Sequence, residues 1–419
     1  MSKIQIAVIG GGAAGFFSAI SAAQHNPEAE VSIYEASKQV LSKVLISGGG
    51  RCNVTNNTLE PSELVKNYPR GSKELRGPFS RFNANHTIEW FESRGVQLKA
   101  EADRRMFPIT DNSSTIANCL SHEAESLGVK LNLNSKLSSI ELNQPRESAA
   151  DAKFKLNFWN GGSLTADRLI LTTGGSKSSF DLAAQLGHTI NQAVPSLFSF
   201  EINDERFFDL AGVSFQNAQL KLKCHNSKVY EQKGPILITH WGLSGPATIK
   251  LSALAAIELF QSDYKADLQI NFIGDTNGEI AFNQLKQYKQ RHPNKKLYTD
   301  SHFDIAKSYW LRILELMDIP PYQIFAETSD KQLRWIASEL TAAQFKILAK
   351  GKFKDEFVTC GGVELKEVNF TSMESRVCPG LYFAGEVLNI DGLTGGFNFQ
   401  SAWTTGWIAG WQGQLQKTA

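Results

Sequence analysis

The sequence has few of the features that staple a chain or anchor it to a membrane. Its five cysteines are odd in number and scattered, with no Cys-x-x-Cys pair and no Cys/His cluster. These spacings suggest neither a disulfide framework nor a metal site, so we expect reduced thiols in a cytoplasmic protein. No apolar run reaches the roughly 18 residues that would span a bilayer, so we predict no membrane association.

The sequence also lacks an excess of charge of one sign. Lysine and arginine number 43 against 42 aspartates and glutamates, a net charge of +1, which predicts no general attraction to polyanions. A composition of 42% hydrophobic and 20% charged residues is typical of globular proteins. Because single cores stop growing near roughly 250–300 residues, 419 residues predict two or three domains.

The first 24 residues place a small apolar segment after Lys3, as a signal peptide would. Three consecutive glycines at its centre would break a signal helix, and they fit a strand-turn-helix instead. Residues 4–9 form a short apolar run, typical of a strand buried on both faces. The following loop matches Gly-x-Gly-x-x-Gly, which lets backbone approach a pyrophosphate at a helix N-terminus. Its predicted cofactor-binding residues are Gly10, Gly12, Ala13, Ala14 and Gly15.

A second predicted strand, residues 30–34, ends at Glu35, 20 residues after the last glycine of this loop. An acidic residue at that position hydrogen-bonds the adenosine ribose of a bound dinucleotide. The strand, the loop, the helix and the acid together predict a dinucleotide site. A glycine-rich turn without a ligand is the alternative.

A second glycine-rich site lies near the other end of the chain, after the apolar segment 381–384. Glycine followed by an acid suits the ribityl chain of a flavin, and later glycines let a helix begin beneath the isoalloxazine ring. A nicotinamide dehydrogenase does not need this distant half-site, so the pair predicts FAD. Residues 165–175 carry a strand-glycine motif of the kind found between these sites in flavoproteins. The predicted cofactor-binding residues here are Thr173, Gly174, Gly175, Gly385, Glu386, Gly392, Gly395, Gly396, Phe397 and Asn398.

The order of these segments predicts an α/β protein in which a Rossmann-type FAD-binding domain is interrupted by a β-rich insertion and a helical insertion. Short alternating runs indicate the first insertion, and helical periodicity broken by prolines indicates the second. Residues 37–57 are predicted to be mainly loop. The predicted boundaries are 1–190 for the N-terminal part of the FAD domain, 191–275 and 276–355 for the insertions, and 356–419 for the C-terminal part.

Five segments together resemble the BaiN/YhiN-like FAD flavoproteins, also described as aminoacetone oxidase-like or NAD(P)/FAD-dependent oxidoreductases. They are SGGGRCN (47–53), THWGLSGPA (239–247), GGVELKEV (361–368), TSMES (371–375) and GLYFAGEVLNIDGLTGGFNFQSAWTTG (380–406). The resemblance covers nearly the whole chain and implies a noncontiguous FAD domain with two insertions. It also implies reduction of conjugated C=C bonds, including those of steroid-like acids, or dihydrouridine formation in ribosomal RNA.

The segment around SGGGRCN contributes further candidates, Lys43, Ser47, Gly49, Gly50, Arg51, Cys52 and Asn53. Cys52 lies where disulfide reductases keep a cysteine pair, but no partner follows at Cys-x4-Cys spacing. Two interpretations remain, a buried thiol and a thiol beside the flavin. We predict that Arg51, Asn53 and Lys43 bind the cofactor phosphate or the flavin edge.

The candidate catalytic residues are His240 and Ser244. His240 ends an apolar run just before a Gly-Leu-Ser-Gly-Pro turn. At such a turn it could donate a proton to the substrate, or it could cap the helix that starts near Pro246.

A basic run in the helical insertion is either a solvated face or an RNA-contacting surface. It consists of Lys286, Lys289, Arg291, Lys295 and Lys296.

These observations predict an FAD-dependent oxidoreductase with noncovalent FAD that delivers hydride to an activated C=C bond. No second Gly-x-Gly-x-x-Gly loop is present in a βαβ context. NAD(P)H must then bind transiently, or a redox partner protein must supply the electrons. The substrate is a small molecule or ribosomal RNA. The alternatives are an amine oxidase and a non-enzymatic protein that holds FAD for RNA association or sensing.

Overall fold

The computed structural model describes residues 3–142, 154–224, 228–351 and 358–411. The chain divides into two compact units, Met1–Val194 together with Val358–Ala419, and Pro195–Phe357. The first unit is therefore built from both ends of the chain. The predicted boundary between residues 355 and 356 lies outside the described residues.

The first unit opens with a strand, a helix and a second strand, as predicted. Its N-terminal elements are β1 (Gln5–Ile9), α1 (Ala13–His25), β2 (Glu30–Tyr34), α2 (Ser42–Gly50), β3 (Thr55–Asn56), α3 (Pro61–Leu64), α4 (Ser72–Arg81), α5 (Ala84–Glu92), β4 (Leu98–Ala100), β5 (Arg105–Pro108), α6 (Ser113–Ser126), β6 (Lys130–Asn132), β7 (Leu137–Leu142), β8 (Phe154–Phe158), β9 (Ser163–Ala166), β10 (Arg168–Leu171), α7 (Lys177–Gln185) and β11 (Ile190–Ser196).

The second unit carries an antiparallel sheet and a group of helices. Its elements are β12 (Phe200–Glu201), β13 (Ser214–Lys223), β14 (Val229–Thr239), β15 (Gly242–Ser244), α8 (Pro246–Leu254), α9 (Ala256–Gln261), β16 (Ala266–Asn271), α10 (Gly278–Arg291), α11 (Lys307–Glu315), α12 (Asp330–Ala342), β17 (Ala343–Ile347) and β18 (Ala349–Lys350). Its strands lie in the order β17-β16-β13-β14-β15-β12-β18.

One hydrophobic core serves this second unit. Leu220 and Ile270 of the strands and Trp310 and Ile336 of the helices belong to the same buried cluster. The predicted split at residue 275 stays a prediction. Strands from both sides of it, β16 and β17, pair in one sheet.

The chain then returns to the first unit through β19 (Val358–Val363), β20 (Val368–Asn369), β21 (Glu374–Ser375), β22 (Leu381–Phe383) and α13 (Phe397–Trp411). Its main sheet has the strand order β20-β21-β22-β10-β1-β2-β6. From β22 to β6 every pairing is parallel, and β20 and β21 add an antiparallel edge. The prediction of an α/β Rossmann-type domain interrupted by inserted segments is confirmed.

Small residues let α13 lie directly on α1. A Cβ added at Gly406 would stand 2.7 Å from the Ala14 carbonyl oxygen, and one at Gly410 would stand 2.3 Å from that of Ser18. Real Cβ atoms do not approach backbone so closely, so only glycine permits this separation. The last described helix therefore packs against the first helix of the chain.

Candidate functional site

The carboxyl ends of four parallel strands meet at one edge of the main sheet. Ile9 of β1 pairs in register with Tyr34 of β2 and with Leu171 of β10, and Leu171 pairs in turn with Phe383 of β22. The residues that follow these strands therefore lie side by side. In open α/β sheets this edge is where ligands bind.

The glycines of the first loop serve two different purposes. Gly10 has φ +108°, and a Cβ added there would stand 2.6 Å from the Thr172 carbonyl oxygen. A Cβ at Gly15 would stand 1.9 Å from the carbonyl oxygen of Gly10. A Cβ at Gly12, by contrast, would meet no atom within 4 Å. Two glycines thus permit close packing, and the third faces space that a ligand can fill.

The N-terminus of α1 presents unshielded backbone to that space. Gly12 is the N-cap, no side chain caps the helix, and its first turn contains no acidic residue. The first amides of a helix have no intrahelical partner, and the helix dipole favours negative charge there. Ala13 and Ala14 contribute such amides without a side chain that would block a phosphate.

Glu35, which directly follows β2, contacts the backbone of this loop. Its carboxylate accepts hydrogen bonds from the backbone N–H of Gly11 at 2.7 Å and of Ser37 at 2.8 Å. An ionised carboxylate has about four acceptor positions, so it can still accept ribose hydroxyls. Glu35 therefore also holds the glycine loop in place.

The segment after β10 contains an unsatisfied polar group. The hydroxyl of Thr173 is buried and has no hydrogen-bond partner. Its neighbour Gly174 has φ +74° and faces open space, while Gly175 packs against Thr359, whose hydroxyl donates to the Gly175 carbonyl at 3.2 Å. A buried hydroxyl without a partner is costly, and a ligand oxygen would satisfy it.

The SGGGRCN segment differs in part from its prediction. Helix α2 begins at Ser42, and its backbone leaves helical geometry at Ser47, Gly48 and Gly49. Gly49 and Gly50 have positive φ angles and open space around their Cα atoms, as a ligand-facing turn requires. The Ser47 hydroxyl donates to the Val44 carbonyl at 3.0 Å, so it supports the end of the helix.

Arg51 is engaged by protein groups. Its guanidinium donates to Glu101 at 2.7 Å and lies 4.0 Å from the centroid of the Phe107 ring. These contacts tie the SGGGRCN turn to the hairpin formed by β4 and β5. Binding of a cofactor phosphate by Arg51 stays a prediction, and it would require this ion pair to be shared.

Cys52 is fully buried, and burial raises the pKa of its thiol to about 12. The thiol is therefore neutral at physiological pH, without the thiolate character of a reactive cysteine. Asn53 lies between two backbone groups. With its amide oriented to satisfy both, it donates to the Thr55 carbonyl at 3.0 Å and accepts from the Gly396 N–H at 2.9 Å. The side chain of Asn53 thus links this segment to the C-terminal glycines.

The C-terminal half-site starts directly after β22. Gly385 has φ +76°, and a Cβ there would stand 2.7 Å from the Cβ of Ala14, so this turn contacts the start of α1. Glu386 accepts the Thr359 N–H at 2.9 Å and forms an ion pair with Lys43 of α2. Lys43 therefore lies beside Gly385 and Glu386, the residues predicted to contact the ribityl chain.

The residues before α13 form a tight loop. The Asn398 side chain accepts from the Gly392 N–H at 2.8 Å and donates to the Gly392 carbonyl at 2.9 Å. A Cβ at Gly396 would stand 2.5 Å from the Thr55 carbonyl oxygen. The side chain of Asn398 thus shapes the loop. Phe397 is the first residue of α13, whose first backbone amides have no hydrogen-bond partner within the helix.

These features fit a flavin dinucleotide. Gly12, Gly49, Gly50 and Gly174 each have open space where a Cβ would stand, and Thr173 offers an unpaired hydroxyl. The first amides of α1 and α13 have no partner within their own helices, and amides of this kind bind anionic groups such as a pyrophosphate.

Sequence reasoning missed Thr172 and Thr359. Thr172 donates to the carbonyls of Ile9 and Gly10, each at 2.9 Å, and so fixes the glycine loop. Thr359 joins Gly175 to Glu386. It lies only two residues before the GGVELKEV motif, and that proximity was the available signal.

His240 and Ser244 belong to the second unit. His240 is exposed in the turn between β14 and β15. The expectation that it caps the next helix is wrong, because α8 has Gly245 as its N-cap and no side-chain capping bond. The Ser244 carbonyl accepts the Thr248 hydroxyl at 2.9 Å.

The basic run is largely paired within the protein. Lys286 bonds Asp330 at 2.9 Å, Lys289 donates to the Thr328 carbonyl at 2.6 Å, and Lys295 bonds Asp300 at 2.5 Å. Exposed ion pairs of this kind are weak, so they can exchange with other anions. RNA contact by this run stays a prediction.

Within the described part of the chain, no helix combines the length and apolar character needed to cross a bilayer.

Comparison with known proteins identifies a family that matches nearly the whole chain. Residues 4–412 match the family model described as the HI0933-like protein Rossmann domain. The chain is 28% identical over 420 residues to a 3-dehydro-bile acid delta(4,6)-reductase of Clostridium scindens, covering 97% of this chain and 98% of that protein. It is also 28% identical over 423 residues to a ribosomal RNA dihydrouridine synthase of Escherichia coli, covering 97% of each. An enzyme of the same name from Haemophilus influenzae is 26% identical, covering 95% of each. The chain therefore belongs to the HI0933-like Rossmann family of FAD-dependent oxidoreductases.

Proposed function

We propose that this protein reduces an activated C=C bond of a small, electron-poor molecule. The observation that carries the proposal is the pair of relatives that match from end to end. A delta(4,6)-reductase and a dihydrouridine synthase both add hydrogen across an unsaturated bond. The shared requirement is a hydride donor beside an electron-poor carbon, which bound FAD supplies once it is reduced.

The chain's own residues hold and orient the cofactor in this proposal. Gly12 and the first amides of α1 bind the pyrophosphate, and Glu35 accepts the adenosine ribose hydroxyls. Thr173 donates its unpaired hydroxyl to the cofactor. The amides at the start of α13 face the isoalloxazine ring, where their partial positive charge favours added negative charge.

The electron donor in this proposal is NAD(P)H that binds transiently, or a redox partner protein. The only Gly-x-Gly-x-x-Gly loop recognised in a βαβ context is the one at Gly10, which we assign to FAD. A nicotinamide would therefore bind at the flavin face and leave before the substrate enters.

We propose His240 as the proton donor to the substrate, with Ser244, the last residue of β15, as a second candidate catalytic residue. His240 is exposed and does not cap α8, so its imidazole is available to a ligand. Histidine is the side chain that most often acts as a general acid or base in enzymes.

Anaerobic photoreduction followed by mixing with candidate acceptors tests the reaction. We expect rapid re-oxidation by conjugated enones and a saturated product detectable by mass spectrometry. Reduction of the flavin by an amine, with rapid re-oxidation by oxygen, would instead identify an amine oxidase and refute the proposal.

His240→Gln tests the proton donor. General acid catalysis contributes about 10²–10⁴-fold, so re-oxidation by the alkene should slow by that factor while photoreduction is unchanged. His292→Gln, at another exposed histidine of the same unit, is the matched control. Equal rates in the two variants would remove His240 from the mechanism.

Ribosomal RNA is the second candidate substrate, favoured by the equal identity to the E. coli enzyme. Neutral substitution of Lys286, Lys289, Arg291, Lys295 and Lys296 tests whether their surface binds RNA. If these side chains contact phosphates, RNA affinity should fall and its dependence on salt should become shallower. Unchanged RNA affinity would exclude this surface, and absence of dihydrouridine after incubation with ribosomal RNA would exclude the substrate.

A further inference from the structure

The loop at residues 389–396 joins the turn after β22 to the N-terminus of α13. On one side its backbone is held by β3, where the Asn56 side chain donates to the Gly395 carbonyl at 3.0 Å. Asn398 holds Gly392 from within. A third set of contacts comes from residues 67–71, which no functional motif includes.

Residues 67–71 contact the loop at several points along its length. The Leu393 N–H donates to the Asn67 carbonyl at 2.8 Å, and the Tyr68 hydroxyl donates to the Phe397 carbonyl at 2.6 Å. Gly71 has φ +84°, and a Cβ there would stand 2.5 Å from Ile390. The segment and the loop are therefore packed along one another.

The strongest of these contacts is an ion pair. Arg70 donates two hydrogen bonds to the carboxylate of Asp391, through Nε and a terminal nitrogen. The side chains of Arg70 and Asp391 are 15% and 0% exposed. A planar, two-point contact between buried charges fixes both distance and orientation. A buried ion pair contributes little net stability, so we interpret the Arg70–Asp391 pair as one that positions the loop.

We propose that Arg70 and Asp391 are positioning residues for the flavin. By fixing the 389–396 loop, they aim the first amides of α13 at the isoalloxazine ring, and Tyr68 supports them through Phe397. The pair thereby slows FAD release and favours flavin reduction. This inference rests on the placement of the isoalloxazine ring given under the proposed function.

The test uses a variant that keeps the net charge. Arg70→Gln with Asp391→Asn removes one positive and one negative charge, so a change in flavin potential reports geometry and not local charge. The matched control is Arg94→Gln with Glu123→Gln, which removes a pair joined at 2.7 Å with side chains 22% and 20% exposed. Both doubles remove one ion pair from the same unit.

We expect the Arg70/Asp391 double to release FAD about 10–100-fold faster than wild type, as the loss of charge-assisted contacts predicts. Its flavin midpoint potential should become more negative, because misaligned amides stabilise less charge on reduction. The Arg94/Glu123 control should keep the wild-type release rate and potential, even where its melting temperature falls. Arg70→Lys, which keeps the charge but loses the planar fork, should be intermediate.

Wild-type release rate and potential in the Arg70/Asp391 double would overturn the proposal, whatever its melting temperature. If that double does not fold, Tyr68→Phe decides, since it removes only one hydroxyl. A faster release and lower potential support the proposal, and unchanged values overturn it. A wild-type enzyme that binds FAD but reduces no alkene would refute the proposed reaction and leave this inference standing.

Discussion

Two loops follow strands at the same edge of the main sheet, and different contacts hold each of them. The loop at residues 10–15 depends on close backbone packing at Gly10 and Gly15, which approach backbone atoms that any Cβ would strike, and the side chains of Glu35 and Thr172 add hydrogen bonds to it. The 389–396 loop is held by side chains, those of Arg70, Tyr68, Asn56 and Asn398. The glycine spacing of the first loop can be recognised in the sequence. The side-chain contacts of the second loop cannot, because most of the residues that make them are far away in the sequence.

The largest effect is expected where the first loop has no space at all. Gly15→Val would place a Cβ 1.9 Å from the Gly10 carbonyl and force α1 away from β1. We expect a loss of more than about 4 kcal/mol of unfolding free energy, near the extreme for single substitutions. Thermal unfolding and soluble yield measure it. A well-folded Gly15→Val protein would show that packing does not require this glycine.

Gly12→Val sharpens the comparison within the same loop. Gly12 has φ −91° and open space around its Cα, so the apoprotein should fold with less than about 1 kcal/mol of loss. Its side chain would occupy the space assigned to the pyrophosphate, and FAD affinity should fall by about 10²-fold or more. Flavin fluorescence titration measures the affinity. Full occupancy of the variant would refute the phosphate assignment.

Asn398→Ala addresses the loop held by side chains. It removes both hydrogen bonds to Gly392, which should cost about 1–3 kcal/mol and weaken FAD binding about tenfold. Asn160→Ala is the control, because Asn160 also accepts a glycine N–H, at 3.0 Å, in an exposed hairpin. If both variants bind FAD equally well, Asn398 does not support the cofactor.

The smallest effect is expected at Cys52, a buried thiol of the SGGGRCN segment. Burial raises the pKa of its thiol to about 12 from 9.0 in the unfolded chain. The neutral thiol is thus favoured by folding, and this contribution is lost as pH rises from 9.0 toward about 12. Wild type should therefore lose stability more steeply over that range than Cys52→Ala, by up to about 1.4 kcal/mol per pH unit. Parallel slopes would contradict the raised pKa. Near neutral pH the two proteins should turn over alike.

Local pattern predicted much of this fold. The segment 30–34 is strand β2, the run 4–9 contains β1, and a helix, α13, follows the C-terminal glycines as expected. The failures lie where distant residues decide. Residues 37–57 indicated a loop because of their glycines, yet Ser42 starts a helix from a left-handed Leu41.

Long-range pairing also limited the prediction of side-chain roles. Arg51 forms an ion pair with Glu101, 50 positions away in the sequence, and Lys43 forms one with Glu386, 343 positions away. No local sequence pattern predicts such partners, because the same charged residue could equally lie on a solvent-exposed face without a partner. The contact of Asn398 with the cofactor stays a prediction, and no local pattern indicated that its side chain bonds both the N–H and the carbonyl of Gly392.

The packing of Gly406 and Gly410 on α1 has a consequence for biosynthesis. Helix α1 ends at His25 and α13 begins at Phe397, so the ribosome makes one long before the other. At about 5–20 residues per second, the interval is roughly 20–80 s. During that time the nascent glycine loop has no α13 to cover it and no second half-site. If FAD binds at the two half-sites as proposed, its tight capture awaits synthesis of α13, and cofactor loading is a late step in maturation.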